Sequence, residues 1–255
     1  MITLHNFSKS YGNKQIFSNM TISFSQPSSI YCLQGASGSG KTTLFNVIFG
    51  IDKEYEGEYL YHNQDTKSFS KERWDQIRKK DLRVVYQDQK LLDFLSVRNN
   101  LKFAVDYELE ESVIDETLEL LNLQQLQHSI IKDISDQEKQ RVAIATAIIS
   151  QPQVLLLDEP TDNLDDDSCR IILDCLQKIK QDRILILISQ DERVKEIVDF
   201  VYQVSNQTIT KFDYFDQAIQ SEYHPVKIKV SRHKLLSYTR EAMKMKWIKL
   251  VPVMV

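Results

Sequence analysis

Gly35-Ala36-Ser37-Gly38-Ser39-Gly40-Lys41-Thr42 has the residue types and spacing of a phosphate cradle. Three glycines let the backbone wrap an anion with its N–H groups turned inward, Lys41 reaches the outer phosphates, and the Thr42 hydroxyl suits Mg²⁺. A Gly/Ser-rich surface turn is the plainer alternative, and the flanking elements argue against it. An apolar run, Ser29 to Leu33, reads as the strand before the loop. Thr43 to Phe49 reads as the helix whose N-terminus meets the phosphate, with Gly50 as its stop. Residues Gly35 to Thr43 are therefore read as binding the phosphates of a nucleoside triphosphate.

A second constellation is Val154-Leu155-Leu156-Leu157-Asp158-Glu159. A short continuous apolar run is the pattern of a strand buried on both faces, and ligands of open parallel sheets bind just beyond the strands' carboxyl ends. Asp158 is thereby placed to hold Mg²⁺ and Glu159 to polarise an attacking water. The alternative is a pair of solvated acids in the turn before Pro160.

These groups need a scaffold, and the chain predicts one. Strand-like and helix-like runs alternate from about residue 29 to 204, implying an α/β fold with a mainly parallel sheet. Ile2–Asn6, Met20–Phe24 and 57–62 are short alternating runs expected to form an antiparallel layer beside the nucleotide. Between Glu72 and Leu123 the pattern turns helical, with apolar residues at helical spacing over Glu110–Leu121. This predicts an inserted helical subdomain, about residues 88–150, within a domain spanning 1–212.

The net charge of −4 is unevenly spread. From His224 onward there are eight Lys/Arg and one acid, so the body is acidic and the tail basic; no nucleic-acid partner is expected for such a body. Cys32, Cys169 and Cys175 show no metal-ligand spacing and are expected to be buried, reduced thiols of a cytosolic protein. No signal peptide is expected before Ile2, and residues 1–246 hold no apolar stretch long enough to cross a bilayer.

Over residues 1 to about 212 the chain resembles the ABC ATPases. Asp158-Glu159-Pro160-Thr161-Asp162-Asn163-Leu164-Asp165 is similar to the DEPT-x-NLD stretch of the macrolide-exporter, lipoprotein-releasing and antimicrobial-peptide-export branch. Tyr11, in Lys9-Ser10-Tyr11-Gly12, falls where that family stacks a ring on adenine. Gln87, after Arg83-Val84-Val85-Tyr86, matches the glutamine that senses Mg²⁺ and faces the permease. The resemblance implies a P-loop NTPase fold, ATP and Mg²⁺, a second ABC subunit, and a transmembrane permease domain, separate or fused. It places the chain at the cytoplasmic face of the cell membrane.

Two positions depart from the family pattern. The signature serine is Ser135, but Asp136 and Gln137 replace the two glycines that follow it. In the family this segment caps the γ-phosphate held by the other subunit. An Asp136 carboxylate about 5 Å from a phosphate charge would cost roughly 3 kcal/mol at an effective dielectric near 20. Alternatively it turns away to cap its helix. The switch histidine is replaced by Gln190, which donates a hydrogen bond but carries no charge. Hydrolysis by Glu159, Lys41 and Gln190 is thus expected to be slow. In a homodimer both composite sites carry both changes; with a standard partner each carries one.

The tail Ser237–Leu250 resembles the amphipathic lead-in to a first membrane span, and Leu250–Val255 the opening of that span. The alternatives are docking on a membrane or permease, and a solvated basic helix. The expected function is to energise export or extraction of a substrate such as a peptide, drug or lipid-linked molecule. A rival is an ATP-gated regulatory module. A ribosome- or DNA-directed ABC protein and a nucleotide kinase fit the residues less well.

Overall fold

The computed structural model describes residues 1–88, 91–105 and 107–212. The boundary expected near Phe212–His224 and the basic tail lie outside the described residues.

The N-terminal strands are β1 (Ile2–Tyr11) and β2 (Lys14–Phe24), followed by β3 (Ser29–Gln34). After α1 (Lys41–Ile48) come β4 (Glu56–Tyr61), β5 (Gln64–Asp65), α2 (Lys71–Lys80) and β6 (Leu82–Val85). Helices α3 (Val97–Phe103), α4 (Glu111–Leu120) and α5 (Asp136–Ile148) precede β7 (Val154–Asp158). Then come α6 (Asp166–Ile179), β8 (Ile184–Ile188), β9 (Phe200–Ser205) and β10 (Thr208–Phe212).

The strands form two sheets. One is antiparallel, ordered β2-β1-β4-β5; the other is ordered β10-β9-β3-β8-β7-β6, parallel throughout except for the β9–β10 hairpin. The predicted α/β fold with a parallel core and an antiparallel layer is what is found. Strands β1 and β2 are longer than expected, because they continue as a hairpin through Gly12. Strands β5 and β10 carried no distinct run of their own.

Strands β7 and β8 are buried along their whole length, as their branched, continuous apolar sequences require. Their side chains alternate between two cores. Leu155, Leu157, Leu185 and Leu187 pack with α3 to α6, while Val154, Leu156, Ile184 and Ile186 pack with α1, α2 and the antiparallel layer. Helix α6 turns Cys169, Ile172, Leu173, Cys175, Leu176 and Ile179 inward at helical spacing, and Asp165 caps its start by accepting from Ser168 N–H. The three cysteines are buried free thiols, and burial raises the thiol pKa of Cys32 and Cys175 to about 12.

Gly50 ends α1 as the sequence predicts. Its φ of 71° and the bonds Gly50 N–H to Val47 O and Ile51 N–H to Asn46 O make a Schellman close. A Cβ there would lie 2.4 Å from the buried Trp74 ring. Among the described residues no helix is long and apolar enough to cross a membrane.

Candidate functional site

Parallel strands bring their carboxyl ends to one edge of the sheet. In register, Leu33 of β3 pairs with Ile188 of β8, which pairs with Asp158 of β7; Leu157 pairs with Val85 of β6. The loops after these four strands carry the Gly35–Gly40 cradle, Glu159, Gln190 and Gln87. Residues that lie up to 155 apart in sequence therefore share one edge, with Gln190 Nε2 donating to the Gly35 carbonyl at 3.3 Å.

The loop enters α1 through Gly40, whose φ of 105° excludes other residues; a Cβ would also meet Ile16 Cγ2 at 2.6 Å. No side chain caps this helix start. Its first N–H groups are thus left without a side-chain partner, an arrangement that an anion can complete. Lys41 is buried, and its Nζ donates to the Gly35 and Ala36 carbonyls at 2.8 and 3.0 Å. Burial lowers its pKa, against the pull of the Glu159 and Asp158 carboxylates.

Thr42 Oγ1 donates to Asp158 Oδ2 at 3.0 Å. Asp158 is buried, and burial pushes its pKa up, opposed by the Thr42 bond and the Lys41 charge. A carboxylate held against its preference for the neutral form gains from a divalent cation, and a hydroxyl with a carboxylate is the hard oxygen set that Mg²⁺ accepts. The pair fits the metal.

Glu159 is half-buried, its backbone in the left-handed region at φ 49°, its N–H bonded to Ile188 O. Its Oε2 accepts from Gln190 N–H at 3.3 Å. Burial raises its pKa, with the Gln190 N–H opposing and Asp158 and Asp162 adding. Glu159 and Gln190 face a cleft of about 500 Å³, lined also by Ser37, Gln87, Asp162 and Arg193.

The remaining predicted residues are placed as follows. The Gln87 amide donates to Asp162 Oδ2 at 3.2 Å, so its amide nitrogen is engaged by Asp162 rather than by the Thr42–Asp158 pair. Tyr11 is exposed, its hydroxyl bonded to Asp52 Oδ2. Ser135 caps α5 in a capping box with Glu138. Asp136 does not cap that helix: Ser135 does, and the Asp136 side chain is 96% exposed and paired with Lys139. Gln137 Oε1 accepts from Ser168 Oγ at 3.0 Å, tying α5 to the start of α6. Gln140 donates to Pro160 O and Arg141 to Leu121 O, so this dipeptide braces the acidic string and the end of α4.

Sequence reading passed over two groups. Arg193 bonds Asp191, Asp166 and the Leu164 carbonyl, joining the loop after β8 to the segment 161–166. Lys9 is buried against Asp52. Its signal was present, since Lys9 shares a strand face with the buried Phe7.

Residues 17–162 match the family model described as ABC transporter. The chain is 32% identical over 189 residues to the ABC transporter ATP-binding protein YxdL of Bacillus subtilis (strain 168), covering 71% of this chain and 74% of that protein. It is 31% identical over 215 residues to the methionine import ATP-binding protein MetN of Clostridioides difficile (strain 630), covering 81% and 66%. Against the spermidine/putrescine import ATP-binding protein PotA of Legionella pneumophila (strain Paris), identity is 37% over 171 residues, 65% of this chain and 45% of that protein. The chain thus spans less than half the length of this last relative.

Among solved structures, cbiO1 from Clostridium perfringens, part of the ABC transporter complex cbiONQ, superposes with a TM-score of 0.75 at 23% identity, covering 96% of this chain and 98% of that one. The dimeric ATP-binding cassette MJ0796 bound to ADP and Pi gives 0.74 at 24%, covering 84% and 99%. At those identities the likeness carries the fold; the family rests on the sequence matches. With the cradle, the acidic strand end and these relatives together, the chain belongs to the ABC transporter family, as an ATP-binding cassette.

Proposed function

We propose that this chain is the ATP-binding and slowly ATP-hydrolysing subunit that energises a membrane permease for export or extraction of a substrate. It works at the cytoplasmic face of the membrane, paired with a second ABC subunit. The observation that carries this reading is the convergence of Lys41, Thr42, Asp158, Glu159 and Gln190 at the carboxyl ends of adjacent parallel strands.

Lys41 exchanges its two loop carbonyls for phosphate oxygens, and the backbone of Gly35 to Thr43 closes round the same group. Tyr11 offers its ring to the base. Thr42 and Asp158 would hold magnesium, which supplies positive charge against the outer phosphates when bound. Glu159 orients the attacking water and takes its proton; the raised pKa of the carboxyl suits it to that exchange. Gln190 donates to the transferring phosphate without adding charge, so less of the developing charge is balanced than a histidine would balance.

Export rests on the Asp158–Asp165 string, while two of the relatives carry import names. Exposed Phe94 and Phe103, on the segment following Gln87, support a permease-facing surface there. Asp136 and Gln190 favour a second reading, an ATP-gated regulatory module that moves no substrate. Phosphate release measured with the permease partner present separates the two, since a gate needs binding and a pump needs turnover.

The direct test is calorimetric titration with MgATP. Lys41→Ala should weaken binding by about a hundredfold or more, roughly 3 kcal/mol. Glu159→Gln should keep binding and abolish phosphate release. Unchanged affinity in Lys41→Ala overturns the reading.

A further inference from the structure

Lys9, Tyr11 and Asp52 form a cluster in which the proposed phosphate chemistry assigns no role to Lys9 or Asp52. Lys9 has a fully buried side chain in β1, and its Nζ donates to Asp52 Oδ1 at 2.7 Å and to Glu54 O at 2.5 Å. The same ammonium lies 4.5 Å from the centroid of the Tyr11 ring. Tyr11 donates its hydroxyl to Asp52 Oδ2 at 2.5 Å, and Glu54 N–H donates to Asp52 Oδ1 at 3.1 Å. Both oxygens of one carboxylate are thus committed.

Asp52 is itself fixed by α1, because its N–H bonds Asn46 O immediately after the Gly50 close. The helix that presents its N-terminus to the phosphates therefore carries, at its other end, the carboxylate that anchors the ring. A tyrosine that is 48% exposed on a strand end would otherwise sample several rotamers. Anchored by its hydroxyl, with the Lys9 ammonium against the ring, it keeps one orientation.

We propose that Asp52 is a positioning residue for nucleotide binding: with Lys9 it locks the Tyr11 ring in the orientation that receives the base. This rests on the reading that Tyr11 stacks on the base. Pre-ordering one side chain is worth about 3–10-fold in affinity.

The test measures affinity for MgATP and for magnesium tripolyphosphate, which has phosphates and no base, in the full chain. Tyr11→Phe keeps the ring and leaves the Lys9–Asp52 pair intact, so folding is not at risk; it should weaken MgATP by about 3–10-fold and leave tripolyphosphate within about twofold. Asp52→Asn should shift MgATP in the same direction with the same selectivity. If Tyr11→Ala weakens MgATP while Tyr11→Phe does not, the ring needs no anchor and the proposal fails. If Asp52→Asn weakens both ligands equally, Asp52 supports α1 alone, and the proposal fails. If Tyr11→Ala leaves MgATP affinity unchanged, the stacking reading beneath the proposal is what fails, and the proposal goes with it.

Discussion

Glu159 concentrates the conflict between stability and chemistry in this chain. A non-glycine residue at φ 49° costs about 1 kcal/mol of backbone strain, and its carboxyl is held where burial raises the pKa. Since the folded-state pKa lies above the ordinary 4.5, the ionised group destabilises the fold at neutral pH. That cost fades as pH falls through the folded value and vanishes below the unfolded one. Glu159→Gln should therefore melt about 1–2 °C higher than the parent at pH 7, a small gain because water screens a half-buried group. The two melting curves should converge near pH 4.5; a parent that melts higher at pH 7 contradicts the argument. Gln190 makes the opposite experiment possible. Its backbone N–H holds Glu159 whatever its side chain, so Gln190→His adds a chargeable donor without disturbing the acid. Phosphate release by the dimer should rise at least tenfold, about 1.4 kcal/mol of barrier. An unchanged rate would place the limiting step outside this position.

Strands and helices position these groups, and their legibility in the sequence followed their burial. The runs at β3, β7 and β8 are readable because both faces are covered and their interior residues are apolar. Helix α4 declares itself by apolar spacing, and Gly50 marks the end of α1 because a side chain there would strike Trp74. Strands β5 and β10 were not legible: they are short edge pairings set by their neighbours. The charged contacts were hidden for a different reason. Nothing local tells Asp52 that it will meet Lys9, or Arg193 that it will reach back to Leu164 and Asp166; the sheet order decides both. Arg193 matters most at this scale. It donates to Asp191 in its own loop and to Asp166 and the Leu164 carbonyl at the start of α6, so the segment 161–166 is clasped to the loop carrying Gln190. Arg193→Met should cost about 1–2 kcal/mol, because the bonds are charge-assisted but partly solvated. Amide exchange should quicken over residues 161–168 and stay unchanged in β3. Unaltered exchange in that segment would show the clasp to be passive.

At the scale of the whole molecule, the question is whether two copies can close on ATP. The signature segment starts α5, and Asp136 projects from its first turn almost fully into solvent, countered by Lys139 at 3.1 Å. A carboxylate in that position is attracted by its own helix N-terminus and competes there with an incoming phosphate. Lys139 offsets part of the charge, so the cost falls below the roughly 3 kcal/mol of an unrelieved pair at about 5 Å. Gln137 adds bulk but also accepts the bond from the buried Ser168 hydroxyl, and removing it costs about 1 kcal/mol of fold stability. The double variant Asp136→Gly/Gln137→Gly should therefore melt lower and yet dimerise more readily. In a Glu159→Gln background, where nucleotide persists, sedimentation velocity with MgATP should show dimerisation tightened by about tenfold or more, because each closed dimer contains the segment twice. If the repulsion is one of charge, this gain shrinks in 1 M salt, where the screening length is about 3 Å. A gain that ignores salt assigns the obstruction to the bulk of Gln137. No gain at all would mean that the departures from glycine leave closure untouched.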